Sequence, residues 1–155
     1  MRTLVAYYSR GGNTRLVAQE IISITGGDVE ELGDEKKRKG GLGWITGARD
    51  ALMGRETRLK PLRNNPSDYD MIYIGSPTWA GRMTPAVRTF IKQNDLTGKR
   101  IALFGNAGNQ EGKATNDMSK NLGNAEVLGE ITVLDSQMKS GSYKRMIKEW
   151  VKSLI

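Results

Sequence analysis

The sequence contains no cysteine and no histidine. It therefore cannot form a disulfide, offer a thiolate nucleophile or ligate an iron–sulfur cluster, and it lacks the side chain that most often serves as general base or metal ligand. Long apolar runs are also missing, so we expect a cytoplasmic protein that does not insert into a membrane. Only 6% of the residues are aromatic, which makes the position of each tryptophan informative.

Acidic residues are fewer than basic ones. The 155 residues include 24 basic and 17 acidic side chains, which gives a formal net charge of +7. A basic chain favours acidic partners. The basic residues are dispersed, apart from 36–39 and one face of a predicted C-terminal helix that any solvated amphipathic helix could show. We therefore expect a monomer of one domain, residues 1–155, with acidic protein partners, and nucleic acid is the weaker interpretation.

The first strand-to-helix junction is the most informative motif. An apolar run over 3–8 predicts a strand, and apolar residues between Leu16 and Ile24 recur at roughly helical spacing. The loop between them offers backbone N–H groups, hydroxyls and an amide at a helix N-terminus, which suits a phosphate. Its spacing matches neither GxxxxGK[ST] nor GxGxxG. This candidate phosphate loop, for which a simple turn is the alternative, consists of Ser9, Arg10, Gly11, Gly12, Asn13 and Thr14.

Two further apolar strands end in polar loops that contain glycine. In the first of them, Trp79 can present its ring to a flat ligand, although packing into the core is the alternative. Thr84 and Pro85 then predict a helix start. The candidate binding residues of the second loop are Ser76, Pro77, Thr78, Trp79, Ala80 and Gly81. Those of the third loop are Gly105, Asn106, Ala107, Gly108 and Asn109.

Strands and helices alternate along the chain, which predicts a parallel sheet covered on both faces. Within the poorly periodic segment 33–67 we predict one helix, in which the stripe Trp44, Ile45, Ala48 and Leu52 packs inward, and a ligand contact by Trp44 is the alternative. Residues 135–141 are predicted to form a turn. The predicted strands are 3–8, 28–32, 70–75, 100–105 and 126–134, and the predicted helices are about 14–25, within 43–54, about 85–93, 112–122 and 142–154.

With its first two loops each placed after a strand, the chain resembles a short-chain flavodoxin over nearly its whole length. The resemblance implies an α/β three-layer sandwich, a five-stranded parallel sheet of order 2-1-3-4-5 and non-covalent FMN bound without a metal. The family's phosphate loop reads Ser/Thr-x-Thr-Gly-x-Thr. Here Ser9, Gly12 and Thr14 match it, and Gly11 replaces a threonine.

The resemblance also implies roles for the second and third loops. Trp79 should stack on the flavin ring, and the backbone of Ala80 and Gly81 should approach the flavin atom N5. Many flavodoxins cover the other ring face with a tyrosine from the third loop, but residues 105–109 contain no aromatic side chain. That face is either covered by small polar groups or open to a substrate.

Two principal functions follow from the resemblance. The first is an electron carrier whose partners are acidic redox proteins, such as a ferredoxin-like protein or a reductase. The second is an FMN-dependent NAD(P)H or quinone reductase, which the uncovered ring face favours and the short chain disfavours. A flavin-dependent sensor is a third and remoter function. No pair of acidic residues, and no base placed beside Ser9, indicates a catalytic residue of the chain's own.

Overall fold

The computed structural model describes residues 1–108 and 114–155, and its centre is a five-stranded parallel sheet. The spatial order is β2-β1-β3-β4-β5, which confirms the predicted order 2-1-3-4-5. The central strands are covered on both faces, and this explains why they are almost continuously apolar in sequence. The strands are β1 (Thr3–Tyr7), β2 (Asp28–Glu31), β3 (Met71–Pro77), β4 (Arg100–Ala107) and β5 (Glu126–Leu134).

Helices cover both faces of the sheet. On one face, Val17 and Ile21 of α1 pack in the same core as Ile147 and Val151 of α6. On the other face, α3 and α4 contribute to a second core. A short 3-10 turn covers Pro66–Asp68. The helices are α1 (Asn13–Thr25), α2 (Gly40–Leu52), α3 (Pro85–Gln93), α4 (Ala114–Lys120), α5 (Asp135–Ser140) and α6 (Tyr143–Leu154). Within the described residues, none of them is long and apolar enough to span a membrane.

Two strands extend further than the sequence predicts. Ser76 pairs with Gly105 and Pro77 with Asn106, so the ladder between β3 and β4 continues for two residues beyond the apolar runs. The residues from Ser76 to Pro77 and from Gly105 to Ala107 therefore belong to strands and not to loops. Backbone pairing with a neighbouring strand maintains the extended conformation after the apolar pattern has ended.

The prediction of a turn over 135–141 is wrong, because Asp135–Ser140 form the short helix α5. The side chain of Gln137 accepts a hydrogen bond from the backbone N–H of Leu134 at 2.8 Å and so caps the helix start. Gly141, at φ 77°, ends the helix in the left-handed region that glycine adopts readily.

The orientation of α2 also differs from the prediction. Trp44, Ile45 and Leu52 are 63%, 60% and 60% exposed, so the apolar stripe faces outward and not into the core. The helix packs instead through small residues: a Cβ on Gly43 would lie 2.4 Å from the carbonyl carbon of Arg38. Close approach of the helix backbone leaves no space for large side chains on its inner face.

Candidate functional site

A cleft of about 520 Å³ lies outside the carboxyl ends of β1, β3 and β4. The chain places β2 on one side of β1 and β3 on the other, so the strand order reverses at β1. Open parallel sheets bind their ligands at such a switch point. The cleft brings together residues from all three predicted loops and two further residues. It is lined by Ser9, Arg10, Gly11, Asn13, Thr14, Trp44, Pro77, Thr78, Trp79, Asn106, Ala107, Gly108 and Asp135.

The phosphate loop is closed by the hydroxyl of Ser9. Its Oγ accepts hydrogen bonds from the backbone N–H groups of Gly12, at 3.2 Å, and Arg15, at 3.3 Å. Gly12 adopts φ 100°, a conformation that a side chain would disfavour. Among the described residues, no acceptor engages the backbone N–H groups of Gly11, Asn13 and Thr14. The loop therefore offers three free donors at the positive end of α1, where an anion is stabilised.

Arg10 connects the phosphate loop to α2. Its Nη2 donates to the carbonyl of Gly40 at 3.0 Å, and its guanidinium carbon lies 6.0 Å from the centre of the Trp79 ring. Arg10 also lines the cleft. The side chain thus places a positive charge between the phosphate loop and the aromatic part of the site.

A tight turn positions Trp79. The backbone N–H of Trp79 donates to the carbonyl of Arg82 at 2.9 Å, and the backbone N–H of Arg82 donates to the carbonyl of Trp79 at 3.0 Å. The two residues between them, Ala80 and Gly81, have φ angles of 49° and 75°, which is the pattern of a type I′ turn. For Ala80 this conformation costs on the order of 1 kcal/mol. Neither Ala80 nor Gly81 lines the cleft, so their approach to flavin N5 stays a prediction.

The indole of Trp79 is supported from several sides. The ring of Tyr8 meets it edge-on, with centroids 5.5 Å apart, and a Cβ on Gly47 would lie 2.8 Å from its Cζ3 atom. Arg38 lies 6.0 Å from the ring centre. Burial, and then the charge of Asp34, raise the pKa of Tyr8 and keep its hydroxyl protonated. Trp79 both packs against the core and lines the cleft, so its orientation is fixed by the protein itself.

A buried ion network lies behind this tryptophan. The side chain of Arg38 is only 2% exposed, and it donates to Asp34 at 2.8 Å and to Asp50 at 2.9 Å. Lys36 adds a third bond, to Asp50 at 2.8 Å. Burial alone would raise the pKa of Asp50, but the hydrogen bonds and charges of Lys36 and Arg38 outweigh it and lower that pKa to about 2. The carboxylate therefore stays ionised and fastens α2 to residues 34–38.

Two side chains of the cleft have buried polar atoms that lack a partner among the described residues. They are Asn106, with both its amide nitrogen and its amide oxygen, and Thr78, with its hydroxyl. Each unpaired buried group costs about 1–3 kcal/mol. Their main chains are already paired, since the N–H of Thr78 donates to the carbonyl of Asn106 at 2.8 Å. The free side-chain atoms are thus suited to a ligand that has both donors and acceptors.

Two cleft residues lie outside the three predicted loops: Asp135, which the sequence did not indicate, and Trp44, for which a ligand contact was the alternative to packing. Asp135 begins α5 directly after β5 and accepts a long hydrogen bond, 3.5 Å, from the side chain of Asn13. Its position after the last strand could have identified it, because parallel strands end at the same edge. Trp44 comes from α2. The outward rotation of α2, which the apolar pattern does not indicate, brings it to the cleft.

Several predicted site residues lie elsewhere. Gly12 donates to Ser9 and shapes the loop. Ser76 is fully buried, and its Oγ accepts a hydrogen bond from the N–H of Thr84 at 3.0 Å, which joins β3 to the start of α3. Ser76 is therefore a structural residue. The predicted residues that do not line the cleft are Gly12, Ser76, Ala80, Gly81 and Gly105, and Asn109 lies outside the described residues.

Comparison with known proteins decides the family. A family model described as flavodoxin matches residues 2–154. The chain belongs to the flavodoxin family. As a flavodoxin-family member it is similar to a flavoprotein from Lactobacillus acidophilus in complex with FMN, with a TM-score of 0.69 and 25% identity over 91% of this chain and 98% of that one. No curated protein sequence matches significantly.

Two more solved structures share the fold of this flavodoxin-family chain. A protein from Bacteroides uniformis aligns with a TM-score of 0.77 and 21% identity over 97% of both chains. Oxidised flavodoxin 2 from Bacillus cereus aligns with a TM-score of 0.65 and 20% identity, over 99% of this chain and 97% of that one. At these identities the likeness concerns the fold.

The cleft residues of this flavodoxin-family chain fit FMN. The free N–H groups around Gly11 match a phosphate, and Trp79 offers an aromatic surface for a planar ring system. The unpaired amide of Asn106 can both donate to and accept from the heteroatoms of such a ring. Asp135 can accept hydrogen bonds from the hydroxyl groups of a polyol chain.

Proposed function

We propose that this protein is an electron carrier that uses FMN in the cleft and exchanges single electrons with acidic redox proteins. The observation that carries the proposal is the convergence of the phosphate loop, Trp79 and the unpaired side chain of Asn106 in one cleft. FMN is the cofactor, and when bound it supplies reversible one-electron and two-electron chemistry.

The residues of the chain bind and orient this cofactor. The N–H groups of Gly11, Asn13 and Thr14 hold the phosphate, and Arg10 adds a positive charge beside it. Trp79 supports the ring from an orientation that Tyr8 already fixes. With FMN held in this way, these residues would bind and orient the cofactor and would make and break no covalent bond of their own.

The composition of the cleft supports a carrier over an NAD(P)H or quinone reductase. Its ionisable residues within the described part of the chain are Arg10 and Asp135, and Asp135 already accepts a hydrogen bond from Asn13. Two tryptophans, Trp44 and Trp79, line the same cleft. Trp44 supplies the second aromatic side chain that the third loop lacks, and a second aromatic cover leaves less ring surface for a nicotinamide.

Anaerobic reduction tests the proposal. The FMN-loaded protein is mixed with dithionite, with reduced methyl viologen or with NADPH, and the flavin absorbance is followed with time. We expect stepwise reduction by the two one-electron donors, with a one-electron-reduced form resolved in the spectra, and little reduction by NADPH. Rapid bleaching by NADPH in a single two-electron step would overturn the carrier in favour of the reductase.

A further inference from the structure

The outer surface of α2 is unusually apolar. Among the described residues, nine large hydrophobic side chains are exposed, and five of them belong to α2 or follow it directly. We call this surface the α2 face. Its members are Leu42 (75% exposed), Trp44 (63%), Ile45 (60%), Leu52 (60%) and Met53 (59%). A group of neighbouring exposed apolar side chains marks an interaction surface more often than single scattered ones do.

Positive charge surrounds the α2 face. Residues 33–60 contain eight basic and four acidic side chains, a net charge of +4 out of the chain's +7. Of the four acidic residues, Asp34 and Asp50 are 4% and 5% exposed and paired within the buried ion network. The other two, Glu35 and Glu56, pair with Arg58 at 3.7 Å and Lys92 at 3.2 Å. Arg38 is buried in that network, and the other seven basic residues of the segment are exposed. We call these exposed basic residues the basic rim of the α2 face.

We infer that the α2 face docks an acidic electron-transfer protein and is the surface through which electrons enter or leave the cleft. Charge complementarity selects an acidic occupant, and the same argument disfavours a second copy of this chain, because two surfaces of net charge +4 repel each other. The face is also continuous with the cleft, since Trp44 belongs to both. This inference rests on the proposed function and adds the place of docking.

Charge-reversal variants test the basic rim. Lys37→Glu/Lys39→Glu changes the rim beside α2, and Lys144→Glu/Lys148→Glu makes the same change on the exposed face of α6, which covers the opposite side of the sheet. The probe is a reduced, acidic plant-type [2Fe–2S] ferredoxin mixed with the FMN-loaded protein in a stopped-flow instrument at low salt. We expect the second-order rate to fall about tenfold or more in the first variant and less than about threefold in the second.

Apolar variants test the centre of the face. Ile45→Ser removes a side chain that is 60% exposed, and Val29→Ser removes one that is 43% exposed on β2, away from α2. Only Ile45→Ser should weaken ferredoxin binding, by about fivefold or more in calorimetry. The same titration with the flavin-free chain should give the same ranking, because the surface is built without the cofactor. Reduced methyl viologen should reduce all variants equally.

Different outcomes separate this inference from the proposed function. Equal ferredoxin rates and affinities for the α2 and α6 variants, or no measurable binding of ferredoxin to the wild type, would overturn the α2 docking surface even if viologen reduces the flavin normally. Failure of viologen to produce one-electron reduction would overturn the carrier instead. Two further results would also overturn the inference: binding to vesicles of 30% phosphatidylserine that Ile45→Ser abolishes, and a concentration-dependent dimer that the same variant dissociates.

Discussion

At the scale of single residues, Asn106 links ligand binding to stability. Its amide is buried without a partner among the described residues, so in the flavin-free protein its removal should cost little. We expect Asn106→Ala to lower FMN affinity by about tenfold, equivalent to one lost hydrogen bond of about 1.4 kcal/mol, while the unfolding free energy of the flavin-free protein stays within about 1 kcal/mol of wild type. Calorimetry and urea unfolding measure the two quantities.

Asn94 is the matched control for this experiment. Its side chain donates to the carbonyl of Phe90 at 2.7 Å, at the end of α3 and outside the cleft. Asn94→Ala should therefore reduce stability by about 1 kcal/mol without changing FMN affinity. The reverse result for Asn106, a large loss of stability with unchanged affinity, would identify it as a structural residue.

Ser9 provides a second test at this scale. Its hydroxyl accepts from the N–H groups of Gly12 and Arg15, so Ser9→Ala should loosen the loop that presents the phosphate donors. We expect FMN affinity to fall by about tenfold, because the donors lose their fixed geometry, and riboflavin affinity to change little. Fluorescence titration of both ligands measures this difference. Equal losses for FMN and riboflavin would mean that Ser9 does not act through the phosphate.

At the scale of elements, the packing of α2 against Trp79 can be tested with two glycines. A Cβ on Gly47 would lie 2.8 Å from the indole, whereas a Cβ on Gly41 would meet no atom of the described residues within 4 Å. Substitution of either glycine by alanine favours the helix by about 1 kcal/mol through helix propensity. Gly41→Ala should therefore stabilise the protein, and Gly47→Ala should displace Trp79, shift its fluorescence and weaken FMN binding by about fivefold or more. If both substitutions stabilised the protein equally, the packing of Gly47 against Trp79 would not constrain α2.

The ion network that fastens α2 should respond to acid. The pKa of Asp50 is lowered to about 2 in the folded protein, from an ordinary value of 3.8. Because the folded value is the lower one, its contribution is complete above about pH 4 and is lost as the pH falls through about 2, a difference of about 2 kcal/mol. Urea unfolding between pH 5 and pH 2 should show this loss, and Asp50→Asn should flatten it. If the unfolding free energy fell equally steeply with pH in the wild type and in Asp50→Asn, Asp50 would not be paired with Lys36 and Arg38 as described.

The sequence predicts the sheet better than it predicts α2. Apolar runs such as 71–74 identify the strands, and the loops after them meet because parallel strands end at one edge, so residues as far apart as Ser9 and Thr78 could be assigned to one site. The orientation of α2 depends instead on contacts with Arg38 and Trp79 and on a buried carboxylate. Such tertiary contacts override the apolar stripe, so Trp44 does not pack inward and instead lines the cleft, which was the alternative interpretation.

At the scale of the whole molecule, FMN should stabilise the fold by mass action. A ligand at about one hundred times its dissociation constant contributes about 2.7 kcal/mol. For a chain of 155 residues this should raise the melting temperature by about 5–10 °C. Differential scanning calorimetry with FMN, with riboflavin at the same concentration and without ligand measures it. A shift that is equally large with riboflavin would contradict the role of the phosphate loop.

The two faces of α2 have separate tasks, and this separation has a consequence for protein engineering. On the inner face, a Cβ on Gly43 or Gly47 would lie within 3 Å of a neighbouring residue, and Asp50 accepts a hydrogen bond from Arg38 at 2.9 Å. The outer positions, such as Leu42 and Ile45, contribute nothing to either core. Outer side chains other than Trp44, which also lines the cleft, can therefore be exchanged in combinatorial libraries without changing the cofactor site. One scaffold could in this way be redirected from one electron donor to another by changes confined to the outer side of a single helix.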